Sequence, residues 1–113
     1  MSRNTPWLNE TQPGGFCEIS RELAEELGIA NGEDVTVESV RGQITVTAIV
    51  THRLQPLRIQ GRQVHTVGLS WQFGWSNRKY GSYDSANLLS PSVGDPNTGI
   101  PETKCFMVNL KRA

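Results

Sequence analysis

The residues of this chain whose types could meet a ligand are gathered in three places. His65, Gly68, Ser70, Trp71 and Gln72 fall in the run His65–Gly74. There the His65 ring can donate or accept a hydrogen bond, and Trp71, Phe73 and Trp75 offer flat faces. Gly68 and Gly74, which carry no Cβ, would let the backbone come close to a ligand. Asn87, in Asp84-Ser85-Ala86-Asn87, presents a donor and an acceptor side by side, the complement of a heterocycle edge. Lys104, in Pro101-Glu102-Thr103-Lys104, stands where the chain re-enters a strand, and its ammonium can meet a carbonyl or phosphate oxygen.

Each of these has a plainer reading beside it. Trp71, Phe73 and Trp75 alternate as the apolar face of a half-buried strand does. A loop Asn commonly bonds its own backbone, and Lys104 also fits a solvated surface position. Arg41, His52 and Arg53 lie at turns and read as solvated, and Asp95, between Gly94 and Pro96, reads as a turn acid. Paired carboxylates, a Ser-His-Asp set and a Walker-type loop are all missing, which excludes an independent hydrolase or nucleotide triphosphatase. Cys17 and Cys105 are far apart in strand-like contexts, with no second Cys or His at ligand spacing. They read as buried free thiols, so neither a metal site nor a catalytic set is expected here.

Elements must hold these residues in place. Residues 1–15 contain two prolines and a Gly-Gly pair and read as a lead-in, whose Trp7 and Leu8 need a surface to pack on. The domain proper runs from 16 to 113. A strand at Phe16–Ile19 is followed by Ser20 as the cap of a short helix, Arg21–Leu27. Leu23, Ala24 and Leu27 form its apolar stripe, Glu22, Glu25 and Glu26 face water, and Gly28 offers a left-handed stop. Asn31-Gly32 signals a tight turn. Val35 and Val37, then Ile44, Val46, Ala48 and Val50, alternate with polar residues and predict a β-hairpin around Arg41-Gly42. A lone hairpin could not keep an apolar face in water, so further strands are expected at Val64–Leu69 and Cys105–Leu110. Ser76–Pro101 reads as a long functional loop. The fold class is mainly β, about six strands with one or two short helices, best closed into a barrel that leaves no exposed edge.

The bulk figures agree with one domain. The chain has 113 residues, 36% hydrophobic and 19% charged. Eleven basic and eleven acidic side chains cancel, which removes any general pull toward nucleic acid or an anionic membrane. No run is long and apolar enough for a membrane span, and the amino-terminal MSRNTPWLNE has no hydrophobic signal core. No nucleic-acid partner and no direct membrane contact are expected.

EISRELAEEL followed by GIANGEDVTVESVRGQITVTAIV (Glu18–Val50) resembles the opening of the molybdopterin-dinucleotide-binding domain that closes large subunits of the dimethyl-sulfoxide-reductase superfamily. VHTVGLSWQFGW, DSANLLSPSVGDPNTGIPETKCFMVNL and the lead-in SRNTPWLNE look like the tail of formate dehydrogenase large subunits. The resemblance implies a double-psi β-barrel that binds molybdopterin guanine dinucleotide carrying molybdenum or tungsten, in an enzyme oxidising formate to carbon dioxide. It also implies that the metal-ligating residue, the active-site His and Arg and the iron–sulfur ligands lie in earlier domains, so this piece would be inactive alone. Its partners would then be the remaining domains of the large subunit and iron–sulfur or other electron-transfer subunits, in a cytoplasmic or periplasmic enzyme. Asn87 and Lys104 match pocket positions of the family. Gln72 stands where the family pattern has a His between two aromatics, and a glutamine carries no proton at neutral pH. Rival readings are the same domain from a relative acting on nitrate or sulfoxides, a free-standing double-psi barrel binding DNA or a peptide, and a decarboxylase on that barrel.

Overall fold

In a computed structural model, which describes residues 4–74, 76–77, 81–82 and 84–113, the elements run in the following order. They are α1 (Pro6–Thr11), β1 (Phe16–Ser20), α2 (Arg21–Leu27), β2 (Asp34–Glu38), β3 (Gln43–Thr51) and β4 (Leu57–Ile59). β5 (Arg62–Val64), β6 (Gly68–Leu69), β7 (Ser76–Asn77), β8 (Gly81–Ser82), a 3-10 turn at Ala86–Leu88 and β9 (Asn109–Arg112) follow.

Local chemistry explains the first half. β1 alternates, with Cys17 and Ile19 fully buried and Phe16 and Glu18 partly exposed. It ends on Ser20, whose Oγ accepts a bond from the Leu23 amide at 3.1 Å and so starts α2. Gly28, at φ 66°, ends that helix: its amide donates to the Glu25 carbonyl at 3.4 Å, and the Ile29 amide donates to Ala24 at 2.9 Å. This paired closure brings Ile29 onto Ala24, both buried. β2 and β3 form the expected hairpin, with Val35 opposite Val46 and Val37 opposite Ile44, so one face is apolar throughout.

β1 lies parallel to β3, from Phe16 opposite Thr47 to Ser20 opposite Thr51, a pairing that requires a crossover. α2 and β2 supply it. With β6 beside β1 and β9 beside β2, the main sheet has the order β6-β1-β3-β2-β9. The core lies on one face of it: Cys17, Ile19, Val35, Val37, Ile44, Val46 and Ala48 meet Leu23, Ala24 and Ile29, with Leu89 closing from the far loop. The mainly β class holds.

Among the described residues the main sheet is not closed into a barrel: β6, two residues long, and β9 stand at its opposite edges. Several other expectations need correction. Val64–Leu69 is not one strand: Val64 pairs with Leu57 in a separate two-stranded ribbon, whereas Gly68 pairs with Glu18 in the main sheet. One straight strand cannot serve both. Cys105–Val108 lies outside any strand, and pairing begins only at Asn109. Cys105 is therefore exposed, not buried as expected, whereas Cys17 is a buried free thiol. The lead-in contains a helix, α1, started by Pro6 at its first position, yet Trp7 remains 79% exposed and finds no packing partner surface within the described chain. Arg53 is exposed at its turn, as expected, and there it pairs with Glu18.

Candidate functional site

β6 sets the course of the His65–Gly74 segment. Because β6 runs antiparallel to β1, with Gly68 opposite Glu18 and Leu69 opposite Cys17, the residues before it head toward α2 and those after it toward Gly15. Ser70 is locked there: its Oγ accepts from the Phe16 amide at 3.1 Å and donates to the Phe16 carbonyl at 3.3 Å. Trp71 stays 42% exposed and Gln72 is exposed, whereas Phe73 turns inward and is buried over Gly15 and Val46. The chain then passes Ser85 so closely that a Cβ on Gly74 would stand 2.7 Å from the Ser85 Cβ. Trp75, the third aromatic of the expected alternation, lies outside the described residues.

Gly74 thus meets the loop that carries Asn87. In that loop Ser85 Oγ accepts from the Asn87 amide at 3.3 Å and opens the 3-10 turn Ala86–Leu88. Ala86 and Leu89 are buried on either side of it, so Asn87 and Leu88 are turned outward. The Asn87 side-chain amide makes no hydrogen bond among the described residues and is open to solvent. Three groups that the residue-type reading did not single out hold this loop against the hairpin. Asp84 Oδ2 accepts from the Thr45 amide at 3.2 Å, Ser39 Oγ donates to the Leu89 carbonyl at 2.7 Å, and a Cβ on Gly42 would stand 2.9 Å from the Leu88 oxygen. A signal did exist for Ser39: a serine opening a tight turn bonds the backbone two residues on, as its Oγ does with the Arg41 amide at 3.1 Å.

The structure therefore joins the segment that carries Ser70, Trp71 and Gln72 to the loop that carries Asn87 through the Gly74–Ser85 contact, while the His65 side chain is directed to α2. His65 lies at the other end of β1, with Nε2 2.9 Å from Glu26 Oε2 on α2 and a buried Nδ1 that has no partner among the described residues. Gly68 has no steric need to be glycine, since a Cβ there would sit 3.6 Å from the Glu18 Cβ. Lys104 is exposed and forms no ion pair among the described residues.

The electrostatics of this face are simple. No Asp or Glu occurs between Glu38 and Asp84, a stretch holding Arg41, Arg53, Arg58, Arg62, Arg78 and Lys79. The Ser70–Gly74 segment thus brings no carboxylate of its own toward an anionic ligand. Asp84, in the adjoining loop, is committed to Thr45, and toward the α2 end Glu18 pairs with Arg53 and Glu26 with His65. Burial, reinforced by Glu18, pushes the Cys17 thiol up to about 12, so it is no nucleophile. Asp95 is held below the ordinary aspartate range, first by the Thr98 backbone amide and then by the Thr98 hydroxyl and the Asn97 amide. Its Oδ1 accepts all three, at 2.8 to 2.9 Å, closing the turn between Gly94 and Pro101. Among the described residues no group of three or more His, Cys, Asp or Glu could hold a metal ion, and no helix is long and apolar enough to cross a membrane.

The family model described as "Molydopterin dinucleotide binding domain" matches residues 1–107. The chain belongs to that family. Among curated relatives of this dinucleotide-binding domain, the formate dehydrogenase subunit alpha of Megalodesulfovibrio gigas is 60% identical over 113 residues, which is all of this chain and 11% of that protein. The nitrate-inducible formate dehydrogenase major subunit of Escherichia coli is 48% identical over 102 residues, covering 90% of this chain and 10% of that one. The domain thus spans about a tenth of the length of these relatives. Among solved structures, acetylene hydratase from Pelobacter acetylenicus superimposes with a TM-score of 0.69 over 94% of this chain and 15% of its own, at 14% identity, a likeness of fold alone.

The donor set fits a dinucleotide in part. An amide at Asn87 that is unengaged among the described residues, an open aromatic at Trp71 and exposed Gln72 and Lys104 could supply a heterocycle partner, a stacking face and a cation. The hydroxyl of Ser70 and the Nε2 of His65 are already engaged on Phe16 and Glu26.

Proposed function

We propose that this chain is the terminal domain of a formate dehydrogenase large subunit and grips its molybdopterin guanine dinucleotide. The observation that carries the reading is the 60% identity over the whole chain with a formate dehydrogenase alpha subunit. When bound, the cofactor with its molybdenum or tungsten supplies the redox chemistry by which the whole enzyme oxidises formate to carbon dioxide. This chain contributes no reacting group to it.

In this reading residues 16–113 are the gripping body and 1–15 the lead-in. Asn87 pairs with the edge of a pterin or guanine ring, Trp71 lends it a face, and Gln72 and Lys104 bond carbonyl or phosphate oxygens. Ser70 and Gly68 act through the backbone by holding the segment on β1, and His65 acts through α2. The double-psi barrel is supported by the parallel β1–β3 pair, by the crossover through α2 and β2, and by the superposition on the acetylene hydratase chain. The remaining domains of the large subunit and its electron-transfer subunits are the partners. A second reading, the same domain in a different oxidoreductase, is favoured by one observation: a nitrate reductase of Symbiobacterium thermophilum is 30% identical over 113 residues.

Titrating the isotopically labelled chain with guanosine diphosphate, as a fragment of the cofactor, tests the grip. Saturable shifts of the Asn87 side-chain amide and of Ser70–Gly74 are expected. Silence at millimolar nucleotide together with saturable binding of duplex DNA or peptides would replace the reading by a free-standing binding module.

A further inference from the structure

β3 is nine residues long, yet β1 covers its edge only from Thr47 to Thr51. Thr47 donates its amide to the Gly15 carbonyl at 3.3 Å, and two residues earlier, on the same edge, the Thr45 amide has no strand left to pair with. An unpaired edge donor is costly if covered and a template for wrong pairing if left open. Here the Asp84 carboxylate takes the place of a strand and accepts that amide at 3.2 Å. At the other end of the same loop, Ser39 donates to the Leu89 carbonyl at 2.7 Å and accepts from the Arg41 amide at 3.1 Å, tying the loop to the turn of the hairpin. Between these two attachments lie only Ser85 to Leu88, with Asn87 on the outside of the turn.

We infer that Asp84 and Ser39 are positioning residues for cofactor binding. They fasten the two ends of the Asn87 turn to the β2–β3 hairpin and so set where the Asn87 amide stands before any ligand arrives. The inference rests on the reading that Asn87 meets the cofactor. Neither residue is a ligand: the Asp84 oxygen is spent on Thr45, and a carboxylate facing a pyrophosphate would repel it. Their effect on affinity is one of preorganisation, since a turn already in the bound geometry loses less freedom on binding. Gly42 completes the arrangement, because a side chain there would push the Leu88 carbonyl, and with it the turn, off the hairpin.

The test uses Asp84→Ala, Ser39→Ala and their conservative counterparts Asp84→Asn and Ser39→Thr, which keep an acceptor oxygen and a hydroxyl. Two readouts are taken on each: amide hydrogen exchange of the free chain, and affinity for guanosine diphosphate. In Asp84→Ala, exchange at Thr45 and Leu89 should accelerate roughly tenfold more than at Val35 in the core, with nucleotide binding about tenfold weaker. Ser39→Ala should loosen Leu89 and weaken binding similarly, and both conservative variants should recover most of the loss. Unchanged Thr45 protection relative to Val35, or wild-type nucleotide affinity in both alanine variants, would overturn the inference. So would equal loss in the conservative variants. If the wild-type chain itself ignores the nucleotide, it is the cofactor reading that fails, and the exchange measurement alone decides whether Asp84 and Ser39 fix the turn.

Discussion

Gly74 and Ser85 are in contact across the site, so that a Cβ at position 74 would lie 2.7 Å from the Ser85 Cβ and 3.2 Å from its hydroxyl. Gly74 also has φ +114°, a conformation that side chains avoid. Both facts bear on one place: the segment leaving β6 can reach the Asn87 loop only through a residue without a side chain.

Gly74→Ala is accordingly expected to cost about 2–3 kcal/mol through strain and steric conflict together. Gly28→Ala, at φ +66° with nothing within 4 Å of the added Cβ, should cost only about 1 kcal/mol. Thermal unfolding of the two variants checks the order. Amide shifts at Ser85 and Asn87 should move in the first variant alone.

The start of α2 depends on one hydroxyl. Ser20→Ala removes the acceptor of the Leu23 amide at a site where Ser20 is 1% exposed, and should cost about 1–2 kcal/mol in denaturant unfolding. Ser20→Thr should retain most of that.

The two thiols should behave as opposites. In the native chain an aromatic disulfide reagent near neutral pH should label one equivalent, at exposed Cys105, and a second only after unfolding, because Cys17 is buried with its thiol pushed up to about 12. The folded state holds the Cys17 proton more tightly than the unfolded state. Its contribution to stability is complete below the ordinary value of 9.0 and is lost as pH rises from there toward about 12, so base unfolding should ease in Cys17→Ala.

Asp95 has the opposite sign. Its carboxyl is held below the usual aspartate value by the Thr98 and Asn97 donors, so the turn it closes is intact above that value and opens as pH falls through the lowered one. The Asn97 and Thr98 amide resonances should titrate together below the ordinary aspartate range. Asp95→Ala should abolish the transition and accelerate exchange at Thr98 at neutral pH.

Much of the fold was legible because it is local. A serine followed by a seven-residue amphipathic helix and a glycine reports its own caps, and alternating valines report which face of a hairpin is buried. The ribbon of β4 and β5 carries no such signal, for an equally local reason. Its turn is Gln60-Gly61, with both residues at positive φ (49° and 75°), and Gln stands where Asn or Asp commonly precedes Gly. Apolar Val64, Val67 and Leu69 then read as one strand, although they serve two sheets.

The site was half legible. Asn87, Trp71, Gln72 and Lys104 stand out by residue type and lie exposed, whereas Ser39 and Gly42 of the hairpin and Asp84 of the loop act only through contacts between segments about 40 to 50 residues apart. No spacing in a sequence announces a carboxylate that finishes the edge of a distant strand. His65 shows the converse: close to Trp71 in the chain, it is carried by an antiparallel β6 to the far end of β1 and onto Glu26.

By itself, then, the sequence determined the mainly β class, the caps of α2, the register of the β2–β3 hairpin and, through its motifs, the family. These rest on short-range hydrogen bonding and on periodicity, which a chain displays one turn or one strand at a time. Only the tertiary structure decided that β1 lies parallel to β3, that Cys105 is exposed, and that Gly74 meets Ser85 while His65 turns away. Those are choices of partner between segments far apart in sequence, and they are made by the whole apolar face seeking burial at once, not by any residue within its own neighbourhood.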